Sequence, residues 1–257
     1  MSTTIFAYIL ASSSNPDKID CVVPWRVNEN EIFFGPCKKR LRKYLKREYL
    51  KDSEEVNVDE HNLYIIGFNG ANSKNERKIV WLGKIEKLCT FKKAFEITSK
   101  EHKYKKMFEY SSSPVNLEPI FDLNNNHCGY KIKGEEHKSG NAWLGDFSSK
   151  RNKIYNQTDN GYHFAVNEKN DLDLCIFLKN IHFAKNSSGI KIDDTILQLL
   201  HSDQIQSEGI DKYNVFGVDK NGKTKGLAGS YLTTKNPFAH ELVEYIKALI
   251  DCDESNS

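Results

Sequence analysis

Apolar and polar positions alternate along the chain in short runs separated by polar loops, a pattern that predicts a mixed α and β protein. Ile5 to Leu10 is a continuous β-favouring run, closed by the turn-rich "ASSSNPD". "VVPW" and "EIFF" read as short strand or loop pieces, and Gly35-Pro36 punctuates before a helix. "NLYIIGF" and "KIVWLGKIEKL" predict two core strands joined by the polar loop "NGANSKNER". "TFKKAF" then predicts a short helix capped by Thr90. "DLCIFLKNIHFA" predicts a further strand bent at Asn180, and "IDDTILQLLHSD" a helix with an aspartate cap. In "NPFAHELVEYIKALI" Asn236 caps a helix, Pro237 takes its first turn, and Phe238, Leu242, Tyr245, Ile246, Leu249 and Ile250 line one face.

Between residues 99 and 160 the periodicity fades. The segment is rich in Asn, Ser, His and Lys, and its aromatic residues Tyr130, Trp143, Phe147 and Tyr155 imply packing. With no internal repeat and no linker in view, residues 1–251 read as one α+β domain. Its expected sheet is mixed or antiparallel, with flanking helices and a C-terminal helix. Residues 252–257, "CDESNS", read as an acidic disordered tail.

Composition narrows the function by clustering rather than by total. The 257 residues are 39% hydrophobic and 28% charged, with a net charge of +2, so the chain as a whole is no general polyanion binder. The charge is local. "GPCKKRLRKYLKR" gathers seven cations: Lys38, Lys39, Arg40, Arg42, Lys43, Lys46 and Arg47. Apolar residues at Leu41, Tyr44, Leu45, Tyr49 and Leu50 describe one helical face, which leaves Lys and Arg to the other. A solvated face usually mixes signs, so an all-positive one predicts phosphate contact. The loop after the first core strand adds Asn69 and Gly70 as base-edge donors, with Lys74 and Arg77 near phosphates. Trp143, in "GNAWLG", is the candidate to stack on an extruded base, whereas Trp25 and Trp81 read as core.

Catalytic signatures are missing. There is no GxGxxG, GxSxG elbow or HExxH, and the eight histidines form no HxH or HxxxH pair. His127, Cys128 and His137 lack zinc-ligand spacing, so neither a metal nor a cofactor is expected. The six cysteines form no CxxC pair and read as free thiols of a cytoplasmic protein. No targeting or membrane-spanning segment is expected from the N-terminal run, which is too short to span a bilayer. An enzyme acting on nucleotides or bases remains the alternative, with Glu135, Glu136, His137, Asp146 and His163 as its acid–base candidates.

At "GPCKKRLRKYL", followed by "LYIIGFNG" and "KIVWLGKIEKLCTFKKAF", the chain resembles the second of the nucleotide-modification-associated domain families. Cys37, Lys38, Leu41 and Arg42 fit that family's Cys-Lys helix, and Ile66 and Gly67 fit its glycine-ended strand. Val80 to Glu86 fit its second strand, and Thr90 to Phe95 its short aromatic helix. The chain departs from the family in reading "DCVVPWRVNENEIFF" before the helix and "DEHNLY" before the glycine-ended strand. The resemblance implies a module that recognises or processes modified bases in DNA, linked to bacterial or phage base modification or anti-phage defence. Its expected partner is nucleic acid, DNA ahead of RNA, with a protein of such a system as the other candidate. The strand–glycine–loop–strand–helix order is also similar to small PUA-like β-barrels, among them modified-base readers. That likeness is one of fold alone.

Overall fold

The computed structural model describes residues 3–9, 25–34, 39–69, 78–105, 117–132, 155–158, 161–165, 173–184, 189–201, 232–233 and 237–255. In chain order come β1 (Thr4–Ile9), β2 (Trp25–Asn28), β3 (Glu31–Phe34) and α1 (Lys39–Leu45), the last running directly into a π-helical turn (Lys46–Leu50). β4 (Glu55–Asn57), β5 (Leu63–Phe68), β6 (Lys78–Cys89) and α2 (Phe91–Lys100) follow. Next are β7 (Leu117–Phe121), β8 (His127–Ile132), β9 (Tyr155–Thr158), β10 (Gly161–Ala165) and β11 (Cys175–Phe183). The chain then forms β12 (Ile190–Lys191), α3 (Asp194–His201), β13 (Leu232–Thr233) and α4 (Ala239–Ser255). The protein is α+β, with a mixed sheet and a C-terminal helix.

Two compact units divide the chain. One comprises Met1–Lys18, Val58–Glu86 and Leu178–Ser257; the other Ile19–Asn57 and Lys87–Phe177. Each is assembled from separate stretches of sequence, and β6 and β11 each start in one unit and finish in the other. A single domain over 1–251 is the natural reading of the sequence, because such interleaving produces no composition-marked linker.

In the first unit the strand order is β13-β1-β5-β6-β11, with β12 also pairing β6. β1 and β5 are parallel and β5 and β6 antiparallel. β5 is buried at every position but Tyr64, which is why it reads as a continuous apolar run and not as an alternating one. Helix α4 supplies Leu242, Val243, Ile246 and Ile250 to a core shared with Ile5, Ile66, Phe68 and Leu82. Leu242, Ile246 and Ile250 lie on the helical stripe expected from the sequence, and Val243 widens it. Asp193 accepts the Ile196 N–H at 2.8 Å, which caps α3, and its other oxygen accepts the Tyr245 hydroxyl at 2.7 Å, tying α3 to α4. Helix α4 continues through Ser255, so the described part of the acidic tail is helical. Asn180 has φ +50° within β11, with Lys179 and Asn180 turned outward, at the position where the sequence suggests a bend.

In the second unit β11-β3-β2 form one strand order, and β4 pairs the end of β6 through Glu55↔Cys89, Val56↔Leu88 and Asn57↔Lys87. The rings of Phe33 and Tyr104 pack on Phe177 at centroid distances of 4.6 and 6.2 Å. Thr90 caps α2 by accepting the Lys93 N–H, as its position before the helix predicts. Neither this strand order nor that of the first unit closes on itself; the sheet is open, and the described strands form no barrel of the PUA-like kind.

A second sheet, β7-β8-β10-β9, is built from the stretch whose periodicity fades and from β10, which follows directly on it. It is antiparallel throughout, with registers such as Glu118↔Lys131↔His163↔Asn156. Its β7–β8 hairpin is organised by Asp122. One carboxylate oxygen accepts the N–H groups of Asn124 and Asn126, each at 2.8 Å, and the other accepts the Asn126 side-chain amide at 3.1 Å. Asn125 takes φ +63°, which asparagine tolerates better than most residues. The hydrogen bonds from Asn126, backbone first and then side chain, hold the Asp122 carboxyl below its ordinary value of 3.8. Because the folded value is the lower one, the hairpin's stabilisation is complete above the ordinary carboxylate range and is lost as pH falls through the folded value. We therefore expect the Asp122 side chain to titrate below 3.8 in a carboxyl-detected NMR titration. Amide protection at Asn124 and Asn126 should fade over that same interval. A midpoint at or above the ordinary value would contradict the hydrogen-bond set.

Candidate nucleic-acid interface

From Lys39 onward the basic segment is helical, and its inner face is set by two different helical periods. Leu41 and Leu45, four apart, are both fully buried, as α-helical spacing requires. Beyond Leu45 the backbone widens into the π turn, closed by the Lys51 N–H donating to the Lys46 carbonyl at 2.6 Å. The next buried residue is accordingly Leu50, five positions on. Lys51 ends the turn with φ +54° and ψ −122°, a conformation that glycine adopts far more readily than lysine.

These periods sort the seven cations. Arg42 falls between Leu41 and Leu45 on the buried face and is 0% exposed. Its guanidinium lies 5.6 Å from the centroid of the Phe91 ring, the first residue of α2. Arg42 is thus removed from the phosphate-contacting set expected from the sequence: one residue past Leu41 and three before Leu45, it cannot point outward. Phe91 in turn donates its backbone N–H at 2.7 Å to Asp173, itself buried. Lys43 and Arg47 are exposed and Lys46 is half-buried. Lys39 and Arg40 occupy the first turn of α1, and Lys38 lies outside the described residues. The outer surface is also not purely cationic, since Glu48 follows directly and meets the Arg47 Nε at 2.6 Å.

Two half-buried tyrosines complete this surface. The rings of Tyr44 and Tyr49 stand edge to face, with centroids 6.4 Å apart and planes at 69°. Arg47 carries its guanidinium 5.7 Å from the centre of the Tyr44 ring. Burial, then the neighbouring Tyr49 and Glu48, push the Tyr44 phenol up to about 12. Burial likewise raises that of Tyr49, with the neighbouring Tyr44 hydroxyl acting the other way. Both phenols are neutral at physiological pH.

The loop candidates divide. Asn69 is buried, and its side-chain oxygen accepts the Lys78 N–H at 2.8 Å while its own N–H donates to the Lys78 carbonyl at 3.1 Å. Its buried side chain closes the mouth of the β5–β6 loop, away from the surface where the sequence reading places it as a base-edge donor. Gly70, Lys74, Arg77 and Trp143 lie outside the described residues, as do Glu135, Glu136, His137 and Asp146; His163 is in β10. Trp81 is fully buried, in keeping with its reading as core, and Trp25 starts β2.

Known protein families, curated proteins and solved structures include no significant match to this chain. The geometry therefore carries the functional argument alone. Among the described residues no group of His, Cys, Asp or Glu gathers closely enough to hold a metal ion. Cys89 and Cys175 are buried, and desolvation raises both thiols, which leaves them protonated and poorly nucleophilic. No described helix is long and apolar enough to cross a membrane. What sequence reasoning missed here is the π turn. Its trace was present, because Leu45/Leu50 and Tyr44/Tyr49 repeat at five residues and a regular α-helix does not keep such pairs on one face.

Proposed function

We propose that this chain is a cytoplasmic nucleic-acid-binding module that recognises or processes modified bases in DNA, within a bacterial or phage base-modification or defence system. The observation that carries the proposal is the outward surface of α1 and its π turn. There Lys43 and Arg47 are exposed and Lys46 is half-buried, and a pair of half-buried tyrosines lies among them. Cations gathered on one helical surface neutralise phosphates and release their condensed counterions on contact. Arg42, inside the fold, takes no part.

The test is the salt dependence of binding. Affinity for DNA, measured by fluorescence anisotropy between low and moderate salt, should fall linearly on a log–log plot. Replacing Lys43→Gln and Arg47→Gln together should lessen the slope by about 2, roughly one unit for each phosphate left without its cation. No binding at low salt, or a slope near zero, ends the reading.

A further inference from the structure

Resting on the nucleic-acid reading, we infer that this surface takes an unpaired stretch of nucleic acid in preference to duplex, with a base stacked on the Tyr44–Tyr49 pair. The π turn is the first reason. Five residues apart on a regular α-helix, two side chains diverge by about 140° around the axis and do not meet. Over Lys46–Leu50 the wider turn brings them into register, so that the rings stand 6.4 Å apart. The same turn ends in a left-handed backbone at Lys51, a conformation held against its intrinsic cost. π-helical turns of this kind concentrate at functional sites.

The chemistry of the patch is the second reason. The Tyr44 and Tyr49 rings pack edge to face, with planes at 69°, which makes them a single aromatic surface. Both are half-buried, so each is anchored on the protein side and offers part of its surface to solvent. Arg47 lies over the Tyr44 ring, and Lys43 is exposed one residue before it. Aromatic surface interleaved with cations is the combination that holds single strands, where a base has a π face to offer and a phosphate follows within one nucleotide. In a duplex those faces are covered by neighbouring base pairs, and the rings would have nothing to stack on. Duplex would then gain from the cations alone.

Glu48 gives the site an internal brake. It neutralises Arg47 at 2.6 Å and its charge is felt by both phenols, so it stands in the same patch as the proposed phosphates. Replacing it by Glu48→Gln removes one like charge from the phosphate path and releases Arg47 from its partner.

The experiment compares a mixed-sequence single-stranded DNA oligonucleotide with the duplex of the same length, at one ionic strength, on the full chain. The single strand should bind about tenfold more tightly, the scale expected for one stacked base. Tyr44→Leu and Tyr49→Leu should each bring that ratio down towards one, with the salt slope unaltered because no charge is removed. Glu48→Gln should tighten single-strand binding several-fold. The wild-type ratio needs no variant, so the inference stays testable should either leucine variant fold poorly. A ratio near one for the unaltered protein overturns it, as does a leucine variant that keeps the full ratio. If neither form of DNA binds, the functional proposal falls and this one with it; duplex binding at equal strength with a normal salt slope sinks only the stacking.

Discussion

Replacing Gly67 by alanine should destabilise the protein by about 3 kcal/mol, at the upper end of what overpacking a core costs. Gly67 and Trp81 are directly paired across β5 and β6. A Cβ at Gly67 would lie 2.1 Å from both the Cε2 and Nε1 atoms of the Trp81 indole. The indole is wholly enclosed, with no exposed surface, so it has little room to swing aside. Gly67 is needed for space and not for backbone conformation. The contrast is Gly83, where the nearest atom to an added Cβ is the Ile181 Cδ1 at 2.4 Å. That methyl ends a flexible side chain and can rotate, so Gly83→Ala should cost about 1 kcal/mol, at the low end of the same range. Urea unfolding of both variants decides the matter. Trp81→Leu should recover part of the loss when combined with Gly67→Ala, because the two sites share one volume. Equal costs at the two glycines would mean that Trp81 has slack the structure does not show.

Arg42 carries the other large effect. Arg42→Ala should lower stability by about 3 kcal/mol, the scale for truncating a large, fully buried side chain. Two effects combine. The guanidinium leaves its place over Phe91, and a side chain that is wholly enclosed is replaced by a void. Arg42→Met should restore much of the loss, because methionine refills the alkyl volume without a charge to desolvate. The decisive comparison is with binding. Arg42→Met should leave the salt slope for DNA where it was, whereas Lys43→Gln with Arg47→Gln should lessen the slope and shift the urea midpoint little. A reduced slope for Arg42→Met would place that side chain on the outer surface after all.

How much of the fold is legible in the sequence depends on how local the cause is. The stripes of β5, β6 and α4 depend only on which residues avoid water: of the α4 positions named from the sequence Leu242, Ile246 and Ile250 are enclosed, and Phe238, Tyr245 and Leu249 are half-buried at its margin. The Thr90 and Asp193 caps are equally plain, because a cap is satisfied within one turn of the residue that makes it. The four-stranded sheet is not. Strands such as "HCGYKI" and "YNQT" show no clean alternation, and their pairing rests on backbone registers and on the turn that Asp122 organises.

The candidate site divides along the same line. That a cationic, aromatic helix follows Gly35-Pro36 is a property of the sequence, and so is the apolar face on which it packs. Which cations reach solvent is not. Arg42 and Lys43 are adjacent and alike in sequence, yet one is sealed beneath Phe91 and the other exposed. The five-residue step at Lys46–Leu50 decides that Tyr44 and Tyr49 meet. Apolar burial is encoded by composition and period, and both are read along the chain. The desolvation of a charge, and the pairing of two rings, depend on what is folded over them from residues far off in sequence, and only the assembled structure settles that.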